Sequence, residues 1–455
     1  MRRIGLLLLA FWWVAGCTTS EVLVAHSVPL TKATAEAPEA ELLDVGIKVF
    51  ESGVPAEGEV DKEVIEALIK EGTFVQIRRS ESLYMAVVLR NTLQKSGNWG
   101  SVWVMPKETT VADLAVTGKI LHSDGDQVRL HIIAKDSTGR VWLSKNYEMN
   151  TAAGAFNRKR YPGLDPYQDV FNEIANDLAA ARDKLTAMQR RDIRGVSGMR
   201  YAADLSPQAF KGYVADDGKG RFNLNRLPAA DDPMYDRTQL VRQRERLFLD
   251  TLDEHYEKFY VDAGDSYNSW RENSREEAIE IHELTKQAHW RTGLGIATIV
   301  ASVVYGSKSD GSFSDRVIRD AMMYVGFDMI RTSQVRKQEK KVHTDALDEL
   351  SSSFETKMKP MVIEIQGTQH RLTGTADAQY QEWRDLLQQI FARESGFKPE
   401  DVTIYTETEP EAPVELPPVP AAAPASAPEG DPAAPSGEAT TEGSSDASAT
   451  ATGGA

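Results

Sequence analysis

The feature that most constrains this chain is an apolar stripe that begins near Asp232-Pro233, a favourable helix start. Within the stripe an apolar side chain recurs every three or four residues, as on one face of an amphipathic helix. Unbroken to Tyr305, the helix would be on the order of 100 Å long at ~1.5 Å per residue, and we expect a break at Gly264. Such a length predicts a coiled-coil-like arm. Its face comprises Leu249, Leu252, Tyr256, Phe259, Ala263, Tyr267, Trp270, Ala278, Ile281, Leu284 and Ala288.

The stripe leads into an uncharged segment, GLGIATIVASVVYG at 293–306. A turn-like segment follows, and a second helical pattern starts at the cap-forming Ser314. We therefore predict a helical hairpin over 232–359 with an apolar tip at 293–330. Small residues at four-residue spacing allow two helices to approach closely, so the tip is predicted to bind a partner or a second copy. The residues predicted to form this face are Gly293, Ala297, Ala301, Met322 and Val325.

The same tip is also a candidate membrane contact. Its fourteen apolar residues reach about 20 Å at ~1.5 Å per residue, short of the ~30 Å hydrocarbon core. The opposite arm carries Asp320 and Asp328, which make a full span costly. Trp290 and Arg291 flank the apolar run and are candidate membrane-interface anchors, although a Trp that caps a core helix is the competing interpretation. Partial insertion of the tip therefore remains an alternative.

Two smaller regions flank this arm. Residues 360–397 begin with the alternating MVIEIQGTQHRLTG and continue into a helical pattern that Thr375 caps, which predicts a β-hairpin followed by a helix. The buried face of that helix is predicted to contain Tyr380, Trp383, Leu387 and Ile390. Residues 191–231 are rich in Gly and charge and are predicted to be a linker, with one short helix after Ser206.

Residues 42–190 predict a compact α+β domain. A strand at Val45 precedes two helical patterns, the first over 60–69 and the second capped by Ser80. Two hairpins follow, with turns at Ser123-Asp124-Gly125-Asp126 and Asp136-Ser137-Thr138-Gly139, and a helix closes the domain after Asp165-Pro166. This order of elements makes the whole chain α+β, with the helical hairpin and the β-hairpin–helix unit after the first domain.

The N-terminal residues 1–16 have two arginines, an apolar run and small residues before Cys17, which predicts a secretory signal peptide. Val14-Ala15-Gly16-Cys17 resembles the lipobox of bacterial lipoproteins, and Cys17 is the only cysteine. The resemblance implies that Cys17 is acylated and becomes the first residue, that 17–41 is a linker, and that the protein is anchored in a bilayer. Thr18 follows instead of Asp, which by the same resemblance implies the outer membrane, facing the periplasm or the cell surface.

The element order from Val45 to Tyr147, and the phrase from Asp113 to Trp142, resemble the N-terminal domain of envelope accessory lipoproteins. Those families include the auxiliary lipoproteins of ABC-type transport and, more distantly, the curli-channel and TolB-like lipoproteins. The resemblance implies a domain that binds protein partners and performs no chemistry.

The far end of the chain, 398–455, is predicted to be a disordered acidic tail rich in Pro, Ala and Ser. From Pro399 onward it has eleven Asp and Glu and no Lys or Arg, so it carries most of the formal charge of −16. The remaining chain has no basic field of the kind that binds nucleic acid, and we expect no nucleic-acid partner.

No sequence motif indicates catalysis or a cofactor. His282 and His289 lie seven residues apart, too far along a helix for one metal ion, so we expect neither metal nor other cofactor. His131 is expected on the solvated face of a strand, and the SDGDQ segment has the chemistry of a hairpin turn.

Three functions remain after these observations. The first is a non-catalytic accessory or assembly factor of a cell-envelope transport or secretion system, with an envelope protein or a second copy as partner. The second is a membrane-active protein whose hairpin tip enters a bilayer. The third is an envelope enzyme with a cleft of carboxylates, although nothing in the sequence favours it and we expect no enzyme.

Overall fold

The structure, a computed structural model, describes residues 25–35, 37–54, 75–292, 361–365 and 368–396. Several sequence-based predictions fall outside these residues. They concern the signal peptide and Cys17, the helix at 60–69, the hairpin tip with its second arm, and the acidic tail.

A five-stranded mixed sheet forms the centre of the fold, with strand order β2-β1-β3-β4-β5. Strand β1 pairs in parallel with both β2 and β3, whereas β3, β4 and β5 form the two predicted antiparallel hairpins. Apolar side chains alternate along β3 and β4 and face the core, as the period of a strand requires. The strands are β1 (Val45–Lys48), β2 (Val102–Met105), β3 (Leu114–Ser123), β4 (Gln127–Asp136) and β5 (Val141–Asn150).

Two helices pack near this sheet, α1 (Val75–Ser96) and α2 (Gln168–Asp183). Helix α1 buries side chains on successive turns, from Leu83 to Leu93. The prediction that Ser80 caps this helix is wrong, because the chain is already helical at Val75 and Ser80 is buried inside the helix. With the sheet and these helices, the predicted α+β class is confirmed.

The segment 191–231 is not the linker that its composition predicted. Helix α3 (Ala187–Leu205) runs through its first part, and Thr186 opens that helix with a capping box in which Gln189 is the reciprocal partner. A small hairpin, β6 (Val214–Asp216) with β7 (Phe222–Leu224), follows in place of the predicted short helix. The Gly-rich composition does not prevent a helix here, because the glycines serve tertiary packing. A Cβ at Gly198 would lie 3.0 Å from the Tyr235 hydroxyl, so this glycine lets α3 and the helix that begins at Pro233 approach closely.

Helix α4 (Pro233–Thr292) is the longest element, with 60 residues. Asp232 caps it, since its Oδ1 accepts hydrogen bonds from the backbone N–H groups of Met234 (2.9 Å) and Tyr235 (3.2 Å). The expected break at Gly264 does not occur. The predicted apolar face is buried from Leu249 to Trp270, and Ala278 is the last residue of α4 described as buried.

The C-terminal β-hairpin–helix unit is confirmed. It consists of β8 (Met361–Ile365), β9 (Thr368–Leu372) and α5 (Ala376–Ser395). Thr375 caps α5 as predicted, by accepting a hydrogen bond from the N–H of Ala378 at 3.1 Å, and Gly396 ends it in the left-handed conformation at φ 72°. Helix α5 packs against α4, with the Trp383 ring stacked on Phe248 at 5.4 Å between centroids.

One hydrophobic core runs through the five-stranded sheet, the five helices and the β8–β9 hairpin, from Val45 in β1 through Tyr256 in α4 to Trp383 in α5. The β6–β7 hairpin packs in a second, smaller cluster with Met199 of α3 and Phe210. The sequence predicted two bodies, an α+β domain over 42–190 and a helical body from 232. In the part of the chain that the structure describes, α4 instead buries its apolar face against β2, α1, α3 and α5. The periodicity of α4 predicts a buried face correctly but contains no information about which element covers it.

Candidate functional site

The residues predicted to bind a partner or a membrane fall at or beyond the end of α4. Trp290 and Arg291 belong to the last turn of this helix. The tip residues Gly293, Ala297, Ala301, Met322 and Val325, like the lipidation candidate Cys17, lie outside the described residues. The described residues therefore do not test these candidates, and the functional geometry that the structure does describe is the polar face that α4 presents to the rest of the fold.

Arg271 is the most buried charge on α4, and both it and its partner Asp165 are almost fully excluded from solvent. The guanidinium donates two parallel hydrogen bonds to the Asp165 carboxylate, Nη1 to Oδ1 at 2.9 Å and Nη2 to Oδ2 at 2.7 Å. The rings of Tyr84, Tyr167 and Tyr267 surround it, with Tyr267 nearest at 4.1 Å. This geometry combines a bidentate ion pair with cation–π contacts, a combination that Lys cannot reproduce.

The electrostatics of this cluster favour the charged guanidinium. Burial alone disfavours a positive charge, but the Asp165 carboxylate outweighs it and holds the pKa of Arg271 above its ordinary value. Burial also raises the pKa of Tyr267, whose hydroxyl donates to Glu81 Oε1 at 2.6 Å. Glu81 in turn pairs with Arg78 within α1. The cluster therefore ties α1, the loop before α2, and α4 together.

A second charged contact lies further toward the N-terminus of α4. Arg90 of α1 forms ion pairs with Asp253 and with Glu257 on successive turns of α4. Asp253 Oδ1 also accepts the backbone N–H of Val104 in β2 at 3.1 Å. Burial raises the pKa of Asp253, and the adjacent Arg90 opposes that effect.

The N-terminal part of α4 contacts the residues just before β1 and β3 through two arginines. Arg242 donates to the backbone oxygen of Val111 at 2.7 Å and to the hydroxyl of Ser197 in α3. Arg246 donates to Asp44 Oδ2 at 2.6 Å. Burial and the nearby Asp113 carboxylate raise the pKa of Asp44, while Arg246 lowers it. Each arginine thus adds a donor to a buried polar group, which offsets part of the desolvation of that group.

Glu245 connects three helices. It is almost fully buried on α4 and accepts hydrogen bonds from the hydroxyls of Tyr201 in α3 (2.7 Å) and Tyr380 in α5. The guanidinium of Arg384 lies 3.7 Å from the same carboxylate. Burial, followed by the charge of Glu245, raises the pKa of both tyrosines. Their hydroxyls therefore remain protonated donors at physiological pH.

Two open grooves lie along α4 and meet at Tyr260 and Gly163. The first, of about 730 Å³, runs between α1, β2 and α4, and its acidic wall contains Asp250, Asp253, Glu254 and Glu257. The second, of about 670 Å³, lies between α4 and the loop 153–166 and is basic on the loop side, at Arg158 and Lys159. The carboxylates of the first groove are largely engaged within the protein: Asp253 and Glu257 by Arg90, and Asp250 by the Trp103 indole N–H at 2.6 Å.

A strap formed by residues 25–35 lies along α2. Asp169 accepts the backbone N–H of Ser27 at 2.7 Å, and Asn172 donates to the Val28 oxygen at 2.8 Å. Asn176 both accepts from the Thr31 N–H at 2.7 Å and donates to the Pro29 oxygen at 2.9 Å. These three side chains recur at helical spacing on one face of α2, so they fix the register of the strap. The prediction of a linker over 17–41 is wrong for this stretch, because α2 supplies backbone partners for it.

The chemistry of these contacts is that of binding and support. Within the described residues, no group of three or more His, Cys, Asp or Glu is arranged to hold a metal ion. None of the helices described here is long and apolar enough to span a membrane. His131 lies in β4, where the sequence expected a solvated residue. Its Nδ1 is 2.6 Å from Asn146 Oδ1 of the neighbouring strand on the exposed face of the sheet, a contact in which the amide oxygen is the acceptor.

Sequence reasoning missed the charged contacts of α4 and the strap. A signal for the contacts was present, since Arg242, Glu245 and Arg271 continue the phase of the apolar stripe and so occupy core positions of the helix. A charge at a core position requires a buried partner, so it predicts one without naming it. The strap had no comparable signal. In the comparisons with known proteins, no family model, no curated protein and no solved structure matches this chain.

Proposed function

We propose that this chain is an outer-membrane-anchored lipoprotein that acts as a non-catalytic accessory or assembly factor of a cell-envelope transport or secretion system. The observation that carries the proposal is the position of the strap. The chain downstream of the Val14-Ala15-Gly16-Cys17 motif is hydrogen-bonded to α2 from Ser27 onward. An acyl chain on Cys17 would therefore hold the α+β core close to a bilayer, as an anchored partner-binding domain requires.

The contacts of α4 support the non-catalytic part of the proposal. The buried charges of Arg90, Arg271 and Glu245 are matched by opposite charges or hydroxyls, which stabilises a long rigid helix. The residues after Thr292 continue from the end of this helix, so the predicted partner-binding tip would be carried by a stiff arm. Its partner is an envelope protein or a second copy of this chain.

Acylation tests the anchor. We expect metabolic labelling with a palmitate analogue to mark the wild-type chain and to fail on Cys17→Ala, and mass spectrometry to find a processed chain that begins at Cys17. A wild-type chain that retains residues 1–16 and carries no acyl group would refute the anchor.

Crosslinking in the native envelope tests the accessory role. Ala297→Leu with Ala301→Leu should abolish capture of the protein partner or of a second copy while acylation persists, because larger side chains prevent close helix approach. Unchanged capture and an unchanged oligomeric state would contradict this role. Flotation of the unacylated chain with neutral liposomes addresses the membrane-active alternative, since tip insertion predicts flotation without either the acyl anchor or anionic headgroups.

A further inference from the structure

The loop 153–166, between β5 and α2, combines positive charge with apolar side chains on its exposed surface. Arg158, Lys159 and Arg160 are all exposed, and they are the only three consecutive basic residues in the sequence. Leu164 is 41% exposed on the same loop. Basic side chains beside exposed apolar ones match the boundary of a bilayer, where anionic headgroups lie next to acyl chains.

The strap brings the chain after Cys17 to this loop. The ring of His26 packs edge-on against Tyr161, with 4.5 Å between the ring centroids. His26 is nine positions after Cys17 in the sequence, so even a fully extended chain would span only ~30 Å between them. A bilayer that holds an acylated Cys17 therefore lies within ~30 Å of this side of the domain.

The charges of the loop are mostly available to an external partner. Arg158 pairs with Asp265 of α4, but this pair is solvent-exposed, with side chains 54% and 88% accessible. Arg160 lies over the ring of Tyr161 at 5.4 Å and is exposed to solvent. The whole chain has a net charge of −16, so this basic cluster is opposite in sign to the overall charge of the protein.

We propose that this loop is the membrane-facing surface of the protein and that Arg158, Lys159 and Arg160 bind the anionic phosphate headgroups of the bilayer that holds the anchor. The inference rests on the proposed acylation of Cys17. Leu164 and Tyr161 enter the headgroup region beside these charges. The acyl chains supply attachment, and the loop orients the domain so that α4 leaves the surface in a fixed direction.

The acylated full chain in vesicles tests the orientation. Because Cys17 is the only cysteine and its thiol is blocked by acylation, Leu164→Cys introduces a single free thiol for a fluorescent label. Leu247→Cys is the matched control, because Leu247 is exposed like Leu164 but lies on α4, away from the loop. Along the helix it is 17 residues, or about 25 Å, from Gly264, the neighbour of the Asp265 that pairs with Arg158. In vesicles containing phosphatidylglycerol, a headgroup quencher should quench the label at 164 strongly and the label at 247 weakly. Equal quenching at the two positions overturns the proposal.

Charge substitution tests the headgroup contact. Arg158→Gln, Lys159→Gln and Arg160→Gln together should lower partitioning of the processed, unacylated chain onto phosphatidylglycerol vesicles by roughly 100-fold, about fivefold per basic residue. The control triple Lys135→Gln, Lys211→Gln and Lys219→Gln removes the same charge at exposed sites elsewhere and should have little effect. Equal losses for the two triples, or equal binding to neutral vesicles, contradict the proposal.

Two further outcomes are distinguishable. If the wild-type chain floats with neutral vesicles and a Cys17→Ala chain without residues 1–16 does not, the anchor holds, and absence of quenching at 164 then refutes only the loop contact. If that Cys17→Ala chain floats with neutral vesicles as well as the wild-type chain, the proposed anchor fails instead. A photocrosslink from position 164 to the acidic tail at 398–455 would identify that tail as the occupant of the loop and would overturn lipid binding.

Discussion

At the scale of single residues, Arg271 shows how this fold tolerates charge in its core. The guanidinium is fully buried but has two carboxylate oxygens and three tyrosine rings as partners. The ion pair has a specific geometry, but its net stabilisation is small because desolvation offsets much of the Coulomb attraction between buried charges. Its consequence is that neither partner can be removed alone without leaving an uncompensated buried charge.

We therefore expect Arg271→Met to lower the free energy of unfolding by ~3–5 kcal/mol, as for other broken buried pairs. The exposed pair offers a matched control: Arg158→Gln should cost only ~0–1 kcal/mol. Urea denaturation measures both values. If the Coulomb pairing is responsible, adding Asp165→Asn to Arg271→Met should restore part of the loss, and a double variant that is as unstable as the sum of the singles would contradict that explanation.

At the scale of elements, α4 is continuous at the glycine where the sequence indicated a break. A Cβ at Gly264 would meet only the Tyr84 hydroxyl, at an ordinary contact distance of 3.8 Å, and the residue keeps helical geometry. Glycine lowers helix propensity but cannot end a helix whose flanking turns are held by packing, here by Tyr260 on one side and Tyr267 on the other.

Gly264→Ala should accordingly stabilise the protein by ~0.5–1 kcal/mol, since alanine has the higher helix propensity and the added methyl group has space. The control is Gly118→Ala, where a Cβ would lie 2.6 Å from the Phe50 ring and should destabilise the fold. Thermal and urea denaturation give the sign for each variant. A destabilised Gly264→Ala would indicate that the helix does bend at this residue.

The hydroxyl of Tyr380 attaches α5 to α4. We expect Tyr380→Phe to cost ~1.5–3 kcal/mol, the range for hydrogen bonds to charged groups, and to increase amide exchange in α5 before that in α1. The control is Tyr213→Phe, because the Tyr213 hydroxyl makes no hydrogen bond that the structure describes. Equal protection of α5 in the two variants would show that apolar packing alone, such as Trp383 on Phe248, holds this helix.

The elements differ in how far the sequence predicted them. The β3–β4–β5 hairpins and α5 were predictable because their signals are local: alternation, turn residues and the Thr375 cap. Helix α3 was not, because Gly195 and Gly198 suggest a linker when its packing against α4 is unknown. Arg271 is 106 residues from its partner Asp165, and Glu245 is 135 residues from its partner Tyr380. No local sequence pattern identifies pairs that are so far apart.

At the scale of the molecule, a single core unites elements that the sequence divided between two bodies. Side chains from β1, α1, α4 and α5 share that core, and buried tyrosines recur through it where α4 meets its neighbours. Tyr267 belongs to the Arg271 cluster, whereas Tyr201 and Tyr380 belong to the Glu245 cluster. Because these groups are spread along α4, a condition that ionises them acts on the whole interface at once.

High pH is such a condition, and it provides a test of the entire interface. Burial, reinforced by nearby carboxylates, raises the pKa of Tyr201, Tyr267 and Tyr380 well above the ordinary value near ~10. Above pH ~10 the folded state therefore holds protons that the unfolded state has released, so stability is complete below pH ~10 and falls as the pH rises beyond it.

We expect the buried tyrosines to ionise in a cooperative step of phenolate absorbance that coincides with the loss of helical circular dichroism. Tyr201→Phe with Tyr380→Phe should lower the amplitude of that step by two of the fourteen tyrosines. Complete ionisation near pH ~10 with the helices intact would mean that these hydroxyls are accessible in the folded protein, and that α4 is not held by a closed interface.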